Sequence, residues 1–280
     1  MNYSQLFQYA KSEIKQVPLE YGDLDSHVFK MFEGVLHMPK QEILIHWNQE
    51  IPSQSLEKID QILGLRLGGM PLQYVVGHEF FYNLKFSVGP GVLIPRPETE
   101  CIVEYILSHF ENTAVKIAEL GSGSGNIAIS ILKERSNWLW DGYEINPESI
   151  PYLEQNLKEH KISNFKLHSG DFFELTKGLQ DFDLVISNPP YIESPAILTL
   201  SQEVQKEPRL ALDGGESGLD CIVKLIAHGQ QILKKAGYLI FEIDPSQART
   251  VQEILAQYSF TSCVIYKDYS GQDRFVVGKR

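Results

Sequence analysis

The sequence predicts an α/β protein in which a mostly parallel sheet, covered by helices on both faces, follows a small all-helical domain and a β-hairpin linker. Three observations carry this expectation. From residue 115 to residue 277, short β-rich apolar runs alternate with helical stretches, the pattern of a parallel sheet with crossover helices. Across residues 1–70, apolar positions return at helical spacing. From residue 72 to residue 92, aromatic and polar positions alternate instead.

The first helix carries Leu6, Phe7, Tyr9, Ala10, Ile14 and Val17 on one face, and residues 27–38 repeat the pattern after the start signals Asp23, Asp25 and Ser26. A third piece covers residues 41–49. The fourth begins near Ser53 or Ser55, carries Leu56, Ile59, Ile62, Leu63 and Leu65, and stops at Gly68-Gly69 with Pro71 beyond. Phe80, Phe81, Tyr82, Leu84, Phe86 and Val88 then outline a hairpin with a turn at Tyr82-Asn83, closed by Gly89-Pro90-Gly91. In the sheet region the expected order is strand 115–120, helix 127–132, strand 138–145, helix 150–157, and strands 165–168 and 184–187. Helix 222–233, strand 238–243, helix 251–258 and strands 262–266 and 274–277 complete it. The expected division is therefore residues 1–70, a linker at 71–95, and the α/β domain at 96–280.

Composition narrows the function. The chain has 280 residues, 43% hydrophobic, with 25 Lys and Arg against 36 Asp and Glu, a net charge of −11. This is long enough for one large domain with a smaller companion. No window reaches the roughly 20 uncharged apolar residues of a membrane span, and the opening residues are amphipathic rather than a signal peptide's apolar run. Cys101, Cys221 and Cys263 are odd in number and far apart, as in a reducing cytoplasm. Both the helical segment and the remainder are net acidic. A protein that grips a phosphate backbone needs the opposite balance, so nucleic acid is disfavoured. The eight histidines show no metal-ligand spacing, and no metal is expected.

Four motifs carry chemistry. Ala118-Glu119-Leu120-Gly121-Ser122-Gly123-Ser124-Gly125-Asn126 ends a strand and opens a helix, where glycines let a backbone approach a nucleotide. Asn126 stands where a dinucleotide fingerprint needs its third glycine; the G-x-G-x-G spacing is typical of S-adenosylmethionine (AdoMet) methyltransferases, and the bland alternative is an unliganded turn. Glu144 ends the next strand and can accept from both hydroxyls of a ribose, or be a solvated carboxylate before a helix capped by Asn146 with Pro147 in its first turn. Asp171 of Gly170-Asp171-Phe172-Phe173 can accept from an adenine amino group under a covering Phe172, or cap a short turn with both phenylalanines in the core. Last comes Asn188-Pro189-Pro190-Tyr191. The prolines stiffen the turn, so the Asn188 side chain and the Pro189 carbonyl offer two fixed acceptors for a planar NH2 group, with Tyr191 against its plane.

In this order the motifs resemble the class I methyltransferases that methylate a planar nitrogen. More closely, the chain resembles the glutamine methyltransferases of peptide chain release factors, the HemK or PrmC family. Leu93-Ile94-Pro95-Arg96-Pro97-Glu98-Thr99-Glu100 is similar to that family's I-P-R-P-[DE]-T-E signature, Asp268-Tyr269-Ser270-Gly271-Gln272-Asp273-Arg274 to its closing D-x-x-G-x-x-R, and Glu207-Pro208-Arg209 and Leu212-Asp213-Gly214-Gly215 also fit. The likeness covers essentially the whole chain. It departs at Glu119 and Glu144, where the family usually has Asp, and at Asp244, where an E-x-G pattern has glycine.

The resemblance implies a Rossmann-like class I methyltransferase sheet with its last strand antiparallel, residues 1–70 as a substrate-recognition domain, and AdoMet as co-substrate. It places AdoMet at Glu119, Gly121, Ser122, Gly123, Ser124, Gly125, Glu144, Asp171, Phe172 and Asn188. The substrate glutamine falls to Asn188, Pro189, Pro190 and Tyr191, with Arg96 and Glu98 adding recognition. The expected partner is a release factor, with no membrane and no direct nucleic-acid binding, for a cytoplasmic monomer. Three readings compete: a glutamine methyltransferase of a large-subunit ribosomal protein, which shares most of the layout; a DNA adenine methyltransferase, which needs a basic groove; and a non-catalytic AdoMet-binding module, against which the intact Asn-Pro-Pro-Tyr stands.

Overall fold

A computed structural model describes residues 1–15, 17, 23–111 and 113–280. The chain forms two compact units: Met1–His78 with Val88–Pro90 and Leu200–Lys206, and Glu79–Ser87 with Gly91–Thr199 and Glu207–Arg280.

The first unit is helical: α1 (Tyr3–Ile14), α2 (Leu24–Leu36), α3 (Lys40–Ile45), α4 (Ser53–Leu67) and α5 (Leu72–Val76). Local signals set the boundaries. Asn2 and Gln5 form a reciprocal capping box on α1, and Asp23 caps α2 through the Ser26 amide at 2.9 Å. Leu6, Phe7, Ala10, Val28, Phe32, Ile59 and Leu63 close the core. Tyr9 and Leu65, read from the sequence as part of the apolar stripes, are instead 40% and 48% exposed; Tyr3 is buried from the turn before. Residues 72–76 make one helical turn because Pro71 starts it and Gly77, at φ 79°, ends it.

Arg66 is fully buried in this unit. Its Nη2 pairs with Glu203 Oε1 at 2.8 Å, its Nη1 donates to the Met70 carbonyl, and its Nε donates to His27 Nε2 at 3.1 Å. That last bond requires a lone pair on Nε2, so the ring is neutral. Burial and the adjacent guanidinium hold the His27 pKa down to about 4.

The strands β1 (His78–Phe81) and β2 (Leu84–Ser87) pair as a hairpin. Tyr82 and Asn83 both have positive φ, 49° and 58°, as a two-residue type I′ turn demands. The second unit continues with α6 (Glu100–His109), β3 (Lys116–Leu120), α7 (Asn126–Glu134), β4 (Leu139–Glu144), α8 (Ile150–Glu159), β5 (Phe165–Ser169), α9 (Phe172–Leu175) and β6 (Phe182–Ser187). It ends with α10 (Arg209–Leu212), α11 (Asp220–Ile232), β7 (Leu233–Glu242), α12 (Ala248–Gln257), β8 (Ser262–Lys267) and β9 (Asp273–Lys279).

The strands of the sheet lie in the order β5-β4-β3-β6-β7-β9-β8, and the last in sequence, β9, runs opposite to the other six. This is the Rossmann-like sheet expected from the sequence. Both faces are covered. Ile117, Leu184, Ile186, Ile240 and Val277 pack toward α6 and α7, while their neighbours Ala118, Val185, Leu239, Phe241 and Val276 pack toward α11 and α12. Strands buried on both sides read as continuous apolar runs, which is why they were visible in the sequence. No helix among the described residues is long and apolar enough to cross a membrane.

The His27 pKa gives a sign. It lies below the ordinary 6.5, so the unfolded chain binds the proton more readily, and the helical unit is fully stable above pH 6.5 and loses stability as pH falls toward about 4. Hydrogen-exchange protection of α2 and α4 should drop between about pH 7.5 and about pH 5 in the wild type and drop less in His27→Gln. Equal drops would contradict the assignment.

Candidate active site

Strand order places the site. The chain moves from β3 outward to β4 and β5, then returns to pair β6 on the other side of β3, so the carboxyl ends of β3 and β6 border the crevice where such sheets bind ligands. Ser187 Oγ donates to the Leu120 carbonyl at 3.0 Å and ties the two ends together. A cavity of about 580 Å³ opens there, within the range of small-molecule clefts.

The loop after β3 crosses its floor. Gly123 and Gly125 have φ of 53° and 80°, and a Cβ on Gly125 would lie 2.6 Å from Leu153 Cδ1. Glycine is required there by conformation and by the close approach of α8. The Gly123 amide donates to Glu144 Oε2 and the Asn146 amide to Glu144 Oε1, both at 2.8 Å. Glu144 is 5% exposed, not a solvated carboxylate; burial raises its pKa and the two amides oppose that. Glu119, beneath the loop, is also buried and accepts from Trp140 Nε1 at 3.0 Å; loss of water pushes its carboxyl up to about 8.

Glu119, Gly121, Ser122, Gly123, Ser124, Glu144, Asp171, Phe172, Asn188, Pro189, Pro190 and Arg96 all line the cavity. Gly125 stands just behind, as the residue preceding α7. Asp171 caps α9, its Oδ1 accepting from the Phe173 amide at 2.9 Å. Phe172 borders the cavity, but its ring is 1% exposed and packs edge-on to Tyr143. Arg96 forms an ion pair with buried Glu207, whose other oxygen accepts from the Ile94 amide at 2.9 Å. Glu98 and Tyr191 are not in the cavity wall. Asn146, expected to cap a helix, does not; α8 starts at Ile150 after Ser149, and the Asn146 side chain donates to the Gly91 carbonyl at 2.8 Å.

At the wall and behind it lies a set of hydrogen bonds that the sequence reading did not foresee. Asn188 Nδ2 donates to Thr99 Oγ1 at 3.3 Å, Thr99 Oγ1 to Glu242 Oε2 at 2.6 Å, and Tyr191 Oη to Glu242 Oε1 at 3.0 Å. Gln247 Nε2 donates to the Tyr191 carbonyl at 3.0 Å. These partners are 51 to 143 residues apart in sequence, so no local pattern announces them.

Comparison with known proteins gives the family. The family model of the PrmC N-terminal domain matches residues 5–77 and that of the methyltransferase small domain matches residues 99–219. A release factor glutamine methyltransferase of Aquifex aeolicus is 33% identical over 272 residues, covering 96% of this chain and 95% of that protein. The chain belongs to the release factor glutamine methyltransferase family. A second member, from Thermodesulfovibrio yellowstonii, is 36% identical over 234 residues, covering 82% and 84% of the two chains. Among solved structures, a methyltransferase from Pyrococcus furiosus shares the fold with a TM-score of 0.51 at 18% identity, over 81% of this chain and 98% of that one.

Against the family pattern, Asp244 is accommodated without strain. Its φ is −70°, its carboxylate accepts from the Ser246 amide at 2.9 Å, and Gln247 closes the capping box. No glycine is needed at that turn. The opposite holds at Gly125. Gly125→Ala should cost about 1–3 kcal/mol through a left-handed φ and a displaced Leu153, read as a lower thermal-melt midpoint; an unchanged midpoint would contradict the close packing described.

Proposed function

We propose that this protein transfers a methyl group from AdoMet to the side-chain amide nitrogen of the glutamine in the Gly-Gly-Gln motif of peptide chain release factors. The supporting observation is the pair of adjacent acceptors in the cavity wall, the Asn188 side chain and the Pro189 carbonyl, within a chain of this family. A primary amide has two N–H donors in one plane. Asn188 Oδ1 and the Pro189 carbonyl take one each and fix the direction of the nitrogen.

The residues present fit AdoMet. The glycine loop brings backbone against the cavity without side chains in the way. Glu144 spends one lone pair of each oxygen on the Gly123 and Asn146 amides and keeps others for ribose hydroxyls. Asp171, at the cavity edge, keeps Oδ2 for an adenine amino group while Oδ1 caps α9. When bound, AdoMet supplies a methyl group on a sulfonium whose charge is lost on transfer.

An amide nitrogen is a poor nucleophile because its lone pair is shared with the carbonyl. The work left to the protein is orientation and exclusion of water, both of which a rigid Pro-Pro turn and a largely buried wall supply. Asn188→Ala should lower turnover on a release factor by about 10²–10³-fold, the usual cost of removing one positioned polar group. Calorimetry should show AdoMet binding retained. Wild-type turnover by this variant would overturn the reading.

A further inference from the structure

A carboxamide side chain is ambiguous: rotated by half a turn, Asn188 would present Nδ2 rather than Oδ1 to the cavity, and a donor there repels the glutamine N–H groups. The observed orientation has Nδ2 turned to Thr99 Oγ1 at 3.3 Å. Thr99 has one hydroxyl proton, and Glu242 Oε2 sits 2.6 Å away, in the range of a hydroxyl donating to a carboxylate. Glu242 is 1% exposed and its other oxygen accepts from Tyr191 Oη at 3.0 Å; burial raises its carboxyl pKa, and the Thr99 and Tyr191 hydroxyls and the Arg274 guanidinium oppose that rise. With its proton committed, Thr99 shows Asn188 only a lone pair. The flipped amide would set oxygen against oxygen.

Thr99 is the last residue of a 3-10 turn (Pro97–Thr99) that continues into α6, with helical φ of −68° and ψ of −19°, so its hydroxyl is not spent on a cap. It is 1% exposed and borders the cavity.

We propose that Thr99 and Glu242 are positioning residues that set the polarity of the active-site amide: Glu242 takes the Thr99 proton, Thr99 takes an Asn188 N–H, and Asn188 Oδ1 is thereby turned toward the substrate glutamine. The proposal rests on the glutamine-methyltransferase reading. It makes turnover depend on a strand-end carboxyl group that does not line the cavity, and it couples Tyr191 to the same anchor.

The test compares Asn188→Ala, Thr99→Val and Thr99→Ser in one assay on a release factor, with kcat, AdoMet affinity by calorimetry and the thermal-melt midpoint for each. Thr99→Val keeps the shape without the hydroxyl and should lower kcat by about 10–10²-fold, the scale of a misdirected reacting group, with AdoMet affinity within about twofold of wild type. Thr99→Ser keeps the proton and the lone pair and should stay within about threefold of wild-type kcat. Wild-type kcat in Thr99→Val beside an inactive Asn188→Ala overturns the proposal and leaves the reading standing. Wild-type kcat in Asn188→Ala overturns the reading itself. If Thr99→Val fails to fold, Thr99→Ser decides: a folded serine variant with normal AdoMet affinity that loses kcat would show that the methyl group, not the hydroxyl, was the part that mattered.

Discussion

Burial of three glutamate carboxyl groups at the carboxyl edge of one sheet is the constraint around which the site is arranged. Glu119 lies near the end of β3, and Glu144 and Glu242 end β4 and β7; all three are at most 5% exposed. A buried carboxylate without donors is costly, so each must recruit some. Glu119 takes an indole N–H, Glu144 two backbone amides, and Glu242 two hydroxyls. Each recruitment shapes the cavity. The glycine loop is folded onto Glu144, the Pro-Pro-Tyr turn is held to Glu242 through Tyr191, and Thr99 bonds both Glu242 and Asn188.

The same constraint separates binding from orientation. The half of the cavity under Glu119 and Glu144 is built from backbone amides and glycines, which suits a nucleoside brought close to main chain. Glu242, outside the cavity wall, is bonded instead to two side-chain hydroxyls, one of which accepts from the Asn188 carboxamide. The strand order places Glu144 of β4 and Glu242 of β7 on opposite sides of β3.

Much of this was legible in the sequence, and the limits have physical causes. Strands such as 184–187 and 238–243 are buried on both faces and so read as unbroken apolar runs, and helices such as α4 carry their own stop in Gly68-Gly69. The glycine loop, Glu144 and Asn188-Pro189 were legible because their chemistry is local: a motif of a few residues at a strand end. Side-chain direction was less so. Tyr191 stands behind the wall, and Phe172 belongs mostly to the core, because a residue's place in a motif does not say which way its ring points. Thr99, Glu242 and Gln247 stand in or beside motifs that were recognised, yet their partnership joins residues far apart in the chain and exists only once α6, β6 and β7 are side by side. The Arg66–His27–Glu203 cluster in the helical unit is of the same kind.

Locating the transferred methyl tests the central claim most directly. The protein is incubated with AdoMet and, separately, with a release factor, a large-subunit ribosomal protein and duplex DNA, and the product is mapped by mass spectrometry. Two acceptors aimed at a planar amide predict the methyl on the side-chain nitrogen of the Gly-Gly-Gln glutamine of the release factor. A methyl on another residue, on the ribosomal protein alone or on a DNA base, or none at all from a protein that binds AdoMet, would contradict it.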